Sequence, residues 1–587
     1  MHTIPMHPKR SVCLVLAALA LGAAAPAHAF KFDLDNGISG SLDSTISLGV
    51  QRRMQSPDSS MVGRDNGGTV PTSGTLGGLV NGDRTTSNPD FNYTNADDGN
   101  LNYKRGDIVS SVLKGTHELS IGERGNWAAL GRVTWSTDFS AANTARTPLD
   151  DDAKRAMRQN ISLLDLWVSK DFKLGDNSAK VKLGNQVINW GEDIFIFGGI
   201  NTIHAFDLRK AHIPGTQVKE ILIPAPMASL STALGAGFST EMYYQFGWNG
   251  FKLDPAGTYW STADFLGRGG GRGAFIPSSL NVGANGDFDP TRGRSMANVQ
   301  AAGGLIPVEK QTPSNSGQYG MNLRYKQPGA DTEFAAYYIR YHDKLPFVGF
   351  KVNPNVSNAF GGVVAVEQYG ENKDLFGLSM NTKLGDWAFG AELSYRPRES
   401  VAIDPTVPTA GRYSLAAGSN NYTTATGVYN GYVNEKKYQG HVTAFTWLPS
   451  ELTRALGAAD GAFLAEVAVT HFPGLKLNGE IPYLLNNYEL PTKTSWGYVM
   501  EVSLTYANVF NSGWTATPIV DFYHDVKGTS PNTIPFVEGR KAIAFGLNFD
   551  YHNQWKVGFG YSTFFGGGNL NLMRDRDVAT ATVSYTF

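Results

Sequence analysis

Hydrophobic and polar residues alternate with a period of two along most of this chain. The last nine residues show the pattern most clearly, because Ala579, Ala581, Val583, Tyr585 and Phe587 share one face and Thr or Ser fills each position between them. Lipid-facing and lumen-facing side chains alternate in this way in transmembrane β-strands. The segment therefore predicts the closing strand of a β-barrel, and we expect the terminal Phe587 to act as its assembly signal.

The same alternation recurs in segments that are long enough to cross a bilayer as tilted strands. Counting them predicts about 18 strands, with 16 as the alternative, and an even number lets both ends of the barrel lie in the periplasm. The weakest predicted strand, at about 221–234, contains Pro224 and Pro226, each of which removes a donor from the ladder. The clearest strands are 38–50, 127–135, 238–248, 319–325, 335–341, 376–384, 387–395, 438–446, 463–469, 496–506, 514–522, 543–551, 555–563 and 579–587.

Connection lengths support the same fold. A barrel with both ends in the periplasm alternates long extracellular loops with short periplasmic turns. The sequence therefore predicts an all-β fold in which residues 30–587 form one transmembrane antiparallel β-barrel, closed between the last strand and the strand at 38–50. The long polar segments are at about 52–106, 138–160, 190–219, 249–316, 343–373, 397–436, 473–494 and 526–539.

The N-terminus predicts export. Lys9 and Arg10 precede an apolar run from Val12 to Ala25, and small residues at 27 and 29 form a cleavage pattern. We expect residues 1–29 to be a cleaved secretory signal, because the run is too short to span a membrane as a helix. The only cysteine lies inside this signal, which excludes disulfides and thiolate metal sites from the mature chain.

Composition excludes two other classes of protein. The mean hydropathy is −0.23 and no later apolar run approaches 20 residues, which argues against a helical membrane protein. With 50 basic and 52 acidic residues, the near-neutral chain gives no support for nucleic-acid binding. The predicted partners are instead outer-membrane lipid, lipopolysaccharide and the barrel-assembly machinery.

Four groups of segments resemble the outer-membrane family catalogued as domain of unknown function 1302. The resemblance spans nearly the whole mature chain. It implies a β-barrel in the outer membrane of a Gram-negative bacterium and a role in handling hydrophobic or lipid-like compounds, and it supplies no catalytic residue. The segments are NADDGNLNYKRGDIVSS, then GNQVINWGEDIFIFGGINTIHAFDLRKAHIPG with KEILIPAPM, then YYQFGWNGFKLDPAGTYWST, and finally HDVKGTSP, FVEGR and DRD.

The residue parity of each strand predicts which charged side chains face the lumen. Both signs are interspersed, whereas an anion pore favours rings of Arg and Lys and a cation pore favours rings of acids. These residues either pair across the lumen to hold the shape of the barrel or contact a solute. The predicted lumen-facing residues include Arg132, Glu241, Arg340, Glu392, Arg396, Glu466, Glu501, Asp521 and Arg540.

The predicted loop from Trp190 to Lys219 is unusually apolar for an exposed segment. An 18-stranded barrel would otherwise leave an open channel, so we expect this segment to fold into the lumen as a constriction that binds a hydrophobic solute. The alternative is that its apolar residues form a small core within the loop itself. The candidate residues are Trp190, Glu192, Phe195, Phe197, Ile200, Ile203, Phe206 and Arg209.

Two further features of the sequence each allow two interpretations. Pro224 and Pro226 could interrupt strand pairing and open a lateral gap toward the bilayer, or they could simply be tolerated near a strand end. Asn95 and Asp97 have the spacing of a calcium loop, but Gly106 occupies the position that needs a bidentate Glu, so a turn-rich loop is preferred. No zinc motif or nucleophile elbow occurs, and we predict no cofactor, metal or catalytic residue.

Three classes of function follow. The first is an outer-membrane channel or transporter for hydrophobic or amphiphilic, lipid-like solutes, with a periplasmic carrier and an inner-membrane exporter or importer as candidate partners. The second is a porin for small polar solutes. The third is a lipid-modifying enzyme or a barrel for surface interactions.

Overall fold

The structure is a computed structural model. It describes residues 30–34, 37–70, 90–278, 287–289, 293–358, 361–403, 430–477, 481, 483, 485 and 489–587. The predicted signal at 1–29 lies outside the described residues.

Within the described residues, eighteen antiparallel strands form one closed barrel, which confirms the predicted fold and count and excludes 16 strands. Each strand pairs with the next along the chain. The strands are β1 (Ile38–Arg53), β2 (Ile108–Glu123), β3 (Trp127–Asp138), β4 (Asn160–Leu174), β5 (Asn177–Gln186), β6 (Ala225–Gly235), β7 (Phe238–Gln245), β8 (Gln318–Lys326), β9 (Thr332–Tyr341), β10 (Lys373–Leu384), β11 (Trp387–Ala402), β12 (Tyr432–Trp447), β13 (Asp460–His471), β14 (Thr494–Val509), β15 (Trp514–Lys527), β16 (Lys541–Tyr551), β17 (Trp555–Phe565) and β18 (Val578–Thr586).

The barrel closes between β18 and β1, as the alternating C-terminal segment predicts. Beyond the ladder, the backbone N–H of Phe587 donates to the carbonyl of Ser44, and the N–H of Ser44 donates to the carbonyl of Phe587, both at 2.8 Å. A short strand at Phe30–Leu34 pairs with residues 38–42 at the start of β1. The sequence pattern did not predict that strand.

The two faces of the wall follow the residue alternation. Outward positions carry exposed apolar side chains such as Leu163, Leu378 and Phe559, which are 49%, 61% and 51% exposed. Inward positions carry polar or charged side chains, many of them buried by chain that enters the lumen. This is the apolar-out, polar-in arrangement of a membrane barrel.

The long connections all leave one end of the barrel, termed the outer end, and contain small elements of their own. None of the described helices is long and apolar enough to span a membrane. The helices are Asp90–Thr94, Asp98–Leu101, Asp151–Arg158, Leu208–Ala211, Val218–Ile221, Met296–Ala301 and Ser450–Ala455, the last at the inner end, and the 3-10 turns are Ser59–Met61, Arg64–Asn66, Gly270–Arg272, Pro531–Thr533 and Gly568–Leu570. The loop strands pair Ala205–Phe206 with Leu222–Ile223, Ala274–Phe275 with Leu305–Ile306, and Val363–Gln368 with both Val308–Lys310 and Phe347–Val352.

Candidate functional site

The segment from Trp190 to Glu220, termed the crossing segment, contacts inward-facing residues on opposite parts of the wall. Near its start, Trp190 is 1% exposed, and its indole N–H donates to Oε2 of Glu241 on β7 at 2.6 Å. Its ring also lies 5.3 Å from that of Tyr243 and 5.8 Å from that of Tyr337. The segment is therefore fixed to the wall as soon as it leaves β5.

Glu466 on β13 binds the backbone of the crossing segment at residues 194–196. Its Oε2 accepts the backbone N–H groups of Ile194, Phe195 and Ile196 at 3.2, 2.5 and 3.1 Å, and its Oε1 lies 2.6 Å from Nδ1 of His441. Hydrogen bonds to a charged acceptor are stronger than neutral ones. The carboxylate, which is fully buried, thus replaces the peptide partners that this irregular backbone lacks.

Two residues of β11 bind the backbone of the crossing segment at residue 192 and at residues 198–200. Glu392 accepts the N–H of Glu192 at 2.6 Å and that of Ile200 at 2.8 Å. Arg396 donates to the carbonyls of Gly198 and Gly199 at 2.8 and 2.6 Å. The close approach requires glycine, because Gly198 has a φ of 101° and a Cβ on Gly199 would lie 2.1 Å from Oε1 of Glu392.

The second half of the crossing segment contacts the opposite wall. Gln51 on β1 donates to the carbonyl of His212 at 2.8 Å. Lys114 on β2 pairs with Glu220 at 2.8 Å, and Glu118 on the same strand lies 3.4 Å from Lys219. The segment therefore reaches from β13 on one side of the lumen to β1 and β2 on the other.

Six of the eight predicted solute-contacting residues divide into two groups, whereas Glu192 accepts hydrogen bonds from Ser379 and Asn381 of β10, both at 3.3 Å, and Arg209 is described below. Trp190, Ile200 and Ile203 are at most 1% exposed and join a cluster with wall residues of β6, β7, β9 and β10. They anchor the segment. Phe195, Phe197 and Phe206 instead line an open cavity on the outer side of it.

This cavity, termed the chamber, has a volume of about 660 Å³. On its floor the ring of Phe206 packs edge-to-face on Phe197 at 4.9 Å and on Phe251 at 5.3 Å. Apolar residues of other outer loops and of the strand ends complete the wall. They include Leu208, Leu345, Phe347, Phe472, Ile534, Phe536, Phe564 and Met573.

One side of the chamber is charged. Lys437 pairs with Glu399 at 3.1 Å beside Arg396. In the loop after β9, burial raises the pKa of Asp343 to about 6 and lowers that of Lys344 to about 7. The chamber thus combines a broad apolar surface with a confined group of paired charges.

The other lumen-facing predictions fall in separate places. Arg132 on β3 pairs with Glu118 at 2.7 Å and with Asp165 at 2.6 Å. Glu501 and Asp521 face each other across the β14–β15 ladder. Arg540 lies at the rim of the chamber, paired with Asp525 at 2.6 Å. Arg132 is therefore held in a structural ion pair within the wall.

Arg340 corrects the lumen prediction, because it lies on the outward face of β9. Its neighbours Ile339 and Tyr341 are buried against the lumen, so alternation turns Arg340 outward with Tyr338, and both donate to Oδ1 of Asp374 at 3.2 and 3.0 Å. The residue comes one position before the outer end of the strand. At this depth an Arg on the outward face can reach the headgroup layer with its guanidinium.

Arg209 and the two prolines have local partners. Arg209 makes two hydrogen bonds to the carboxylate of Asp207, at 2.8 and 2.7 Å, and does not line the chamber. Pro226 lies opposite Asn185 in the β5–β6 ladder, which continues to Ala225. The carbonyl of Pro224 accepts the side-chain amide of Asn249 at 3.3 Å. A lateral opening at the prolines stays a prediction.

Sequence reasoning missed much of the chamber wall. Phe347, Ile534 and Phe536 are apolar residues in predicted polar loops, which is the same signal that singled out the crossing segment, and Phe472 comes just before the predicted loop at 473–494. Each of these loops supplies only one or two chamber residues, so its sequence alone does not distinguish them.

Comparisons with known proteins give one family match and several structural likenesses. The sequence profile of the family described as "Protein of unknown function (DUF1302)" matches residues 10–587. No curated protein matches the sequence. Among solved structures the chain is similar to OccAB3 of Acinetobacter baumannii (TM-score 0.41, 9% identity, 93% of this chain and 99% of that one). It is also similar to a BenF-like porin of Pseudomonas fluorescens Pf-5 (0.39, 9%, 93% and 98%) and to Pseudomonas aeruginosa OpdK, crystallised with vanillate (0.36, 9%, 93% and 98%). At these identities the likeness concerns the fold alone.

Proposed function

We propose that this chain, which belongs to the DUF1302 family as its motifs predicted, is an outer-membrane channel for hydrophobic or amphiphilic solutes. One observation carries the proposal: a mainly apolar chamber lies directly on the outer side of a segment that crosses the lumen. A solute that enters from outside would meet this surface before it could pass the constriction.

The chamber has the size and chemistry of a small-molecule site. Pockets of roughly 300–1,000 Å³ with mostly apolar walls and a few polar groups are typical of such sites, and the chamber has about 660 Å³. The apolar part of a solute would lie on Phe195, Phe197 and Phe206. Its polar end would face Arg396, Glu399 and Lys437, where two cations lie beside one carboxylate, so the arrangement favours a polar or singly anionic head group.

The test replaces residues that line the chamber and leaves the anchoring residues Trp190, Ile200 and Ile203 unchanged. Phe197→Ser and Phe206→Ser remove aromatic surface from the chamber floor. Phe246→Ser is the matched control, because Phe246 is 53% exposed, close to the 48% of Phe197, and does not line the chamber. Cells whose outer membrane carries each variant are given a radiolabelled medium-chain fatty acid. Loss of one aromatic contact of about 1.5 kcal/mol should lower uptake roughly tenfold.

The other functions give different results in the same cells. A porin for small polar solutes would admit a radiolabelled sugar equally in all variants, with large conductance in planar bilayers and no response to deletion of 190–215. A lipid-modifying enzyme would show lipase or acyltransferase activity, although we assign no catalytic residue. Fatty-acid uptake that is equal in Phe197→Ser and Phe246→Ser, with both barrels assembled, would contradict the proposal.

On this proposal the chain works with other components of the envelope. Export requires removal of the signal at 1–29, and insertion requires the assembly machinery that reads Phe587. Beyond the constriction, the solute would pass to a periplasmic carrier and an inner-membrane transporter, or leave sideways near Pro224 and Pro226. Labelled solute that accumulates in the outer membrane rather than the periplasm would favour the sideways exit.

A further inference from the structure

Three outer loops meet at a buried group of carboxylates that does not line the chamber. Asp97 and Asp98 come from the loop after β1, and Asp264, Asp287 and Asp289 come from the loop after β7. All five side chains belong to residues that are at most 8% exposed. Buried carboxylates are costly unless they are paired or bind a cation.

One cation from the loop after β3, Arg146, lies among these five carboxylates. Its guanidinium lies 3.4 Å from Asp98, 3.2 Å from Asp287 and 3.1 Å from Asp289, and 3.8 Å from Asp97. A single positive charge cannot neutralise the group.

Two arginines of the loop after β7 have partners outside the group. Arg272 lies 3.7 Å from the carboxylate of Asp150, and Arg294 donates to the carbonyl of Asp65 at 3.2 Å. When all five carboxyls are ionised, the group therefore carries an excess of negative charge.

Among the residues that the structure describes, two buried carboxylate oxygens of the group have no hydrogen-bond partner: Oδ1 of Asp264 and Oδ1 of Asp287. The other oxygen of Asp264 accepts the backbone N–H groups of Asp97 and Asp98 at 3.0 and 3.3 Å, which fixes this carboxylate beside the pair. The other oxygen of Asp287 is held by Arg146. Buried acceptors without a donor are rare, and here they lie where negative charge is already in excess.

The spacing of the oxygens suits a metal ion. One carboxylate oxygen from each of Asp97, Asp98 and Asp287 lies within 4.8 Å of the other two. Two oxygens that each bind Ca²⁺ at about 2.4 Å can be at most about 4.8 Å apart. Small closing movements of the loops would bring all three into contact with one ion.

We propose that Asp97, Asp98 and Asp287, with Asp264, form an extracellular divalent-cation site that ties the loop after β1 to the loop after β7. The donors are all oxygens, as both Ca²⁺ and Mg²⁺ require. Ca²⁺ is the favoured ion because the donors come from irregular loops, whereas Mg²⁺ demands a compact octahedron at about 2.0–2.1 Å. The site would hold the outer loops together in a cell envelope rich in divalent cations.

The experiment uses the full-length barrel in detergent after treatment with EDTA. Ca²⁺ and, separately, Mg²⁺ are titrated calorimetrically into the wild type, Asp264→Asn, Asp97→Asn/Asp287→Asn and the control Asp151→Asn. Asp151 is a matched carboxylate in an outer loop whose side chain is 81% exposed. We expect one Ca²⁺ per barrel, affinity unchanged in the control, and at least about tenfold weaker binding when a ligand charge is lost.

A second readout follows the outer loops directly. Trypsin should cleave them several-fold more slowly with Ca²⁺ than with EDTA in the wild type and the control, and equally in the double variant. A heat-modifiable band on a denaturing gel shows that each barrel is folded. If the double variant does not fold, Asp264→Asn and the wild-type titration decide. Absence of binding by the wild type, or equal affinity in every folded variant, would overturn the proposal.

Discussion

Glu466→Gln is the sharpest test of how the crossing segment is held. One oxygen of this buried carboxylate accepts the N–H groups of Ile194, Phe195 and Ile196. Glutamine has the same shape and keeps one acceptor oxygen, but it loses the negative charge. The substitution therefore weakens all three bonds without changing the volume of the side chain.

The size of the effect follows from those three bonds. Hydrogen bonds to a charged group contribute roughly 1.5–3 kcal/mol and neutral ones roughly 0.5–1.5 kcal/mol, so each bond should lose about 1 kcal/mol. The loss of about 3 kcal/mol should raise the population of the undocked segment by roughly two orders of magnitude, since about 1.4 kcal/mol corresponds to a factor of ten.

Two measurements report that population. Hydrogen-exchange mass spectrometry of a peptide covering 190–200 should show exchange accelerated by about a hundredfold. Single-channel recordings in planar bilayers should show more frequent large-conductance openings. Glu333→Gln is the matched control, because Glu333 is an inward carboxylate that pairs with Arg324 on the neighbouring strand at 3.2 Å. Unchanged exchange and unchanged conductance in an assembled Glu466→Gln barrel would refute the anchoring role.

Three other outcomes are expected. Trp190→Phe removes the donor to Glu241 and should lower the free energy of unfolding by about 1–3 kcal/mol, measured by urea titration. Deleting Phe587 removes both of its backbone bonds to Ser44 and should reduce the heat-modifiable, assembled fraction on a gel; equal assembly would contradict the seam. Burial lowers the pKa of Lys344 from 10.5 to about 7, so the unfolded chain binds the proton more strongly and stability should rise from pH 7 toward pH 10.5. Lys344→Met should flatten that rise in thermal unfolding, and an unchanged slope would exclude this residue as its cause.

The strands and the facing of their side chains could be predicted because these properties are local. In β18 each residue faces lipid or lumen according to its own parity, and the pairing with β1 repeats that parity in register. The rule was wrong for Arg340, because the inward face of β9 is itself apolar: Tyr337 and Ile339 join the buried cluster of Trp190 and Ile200. The apolar positions of this strand therefore face the lumen, and Arg340 faces outward.

Within the candidate site, local pattern identified the segment but could not assign roles. Trp190 and Phe197 are both large and apolar in sequence, yet one is buried on the wall and the other lines the chamber. The carboxylates show the same limit: the spacing after Asn95 argued against calcium, whereas Asp287 joins Asp97 only because two distant loops meet.

The sequence by itself determined the strands, the closing seam and the unusual loop, because periodicity, loop length and composition are properties of contiguous residues. Only the tertiary structure decided where that loop lies and which of its side chains are accessible. The physical reason is that its backbone depends on partners far away along the chain, such as Glu392 for Ile200, 192 residues apart. No local sequence pattern predicts which buried carboxylate will accept a given backbone N–H group of this loop.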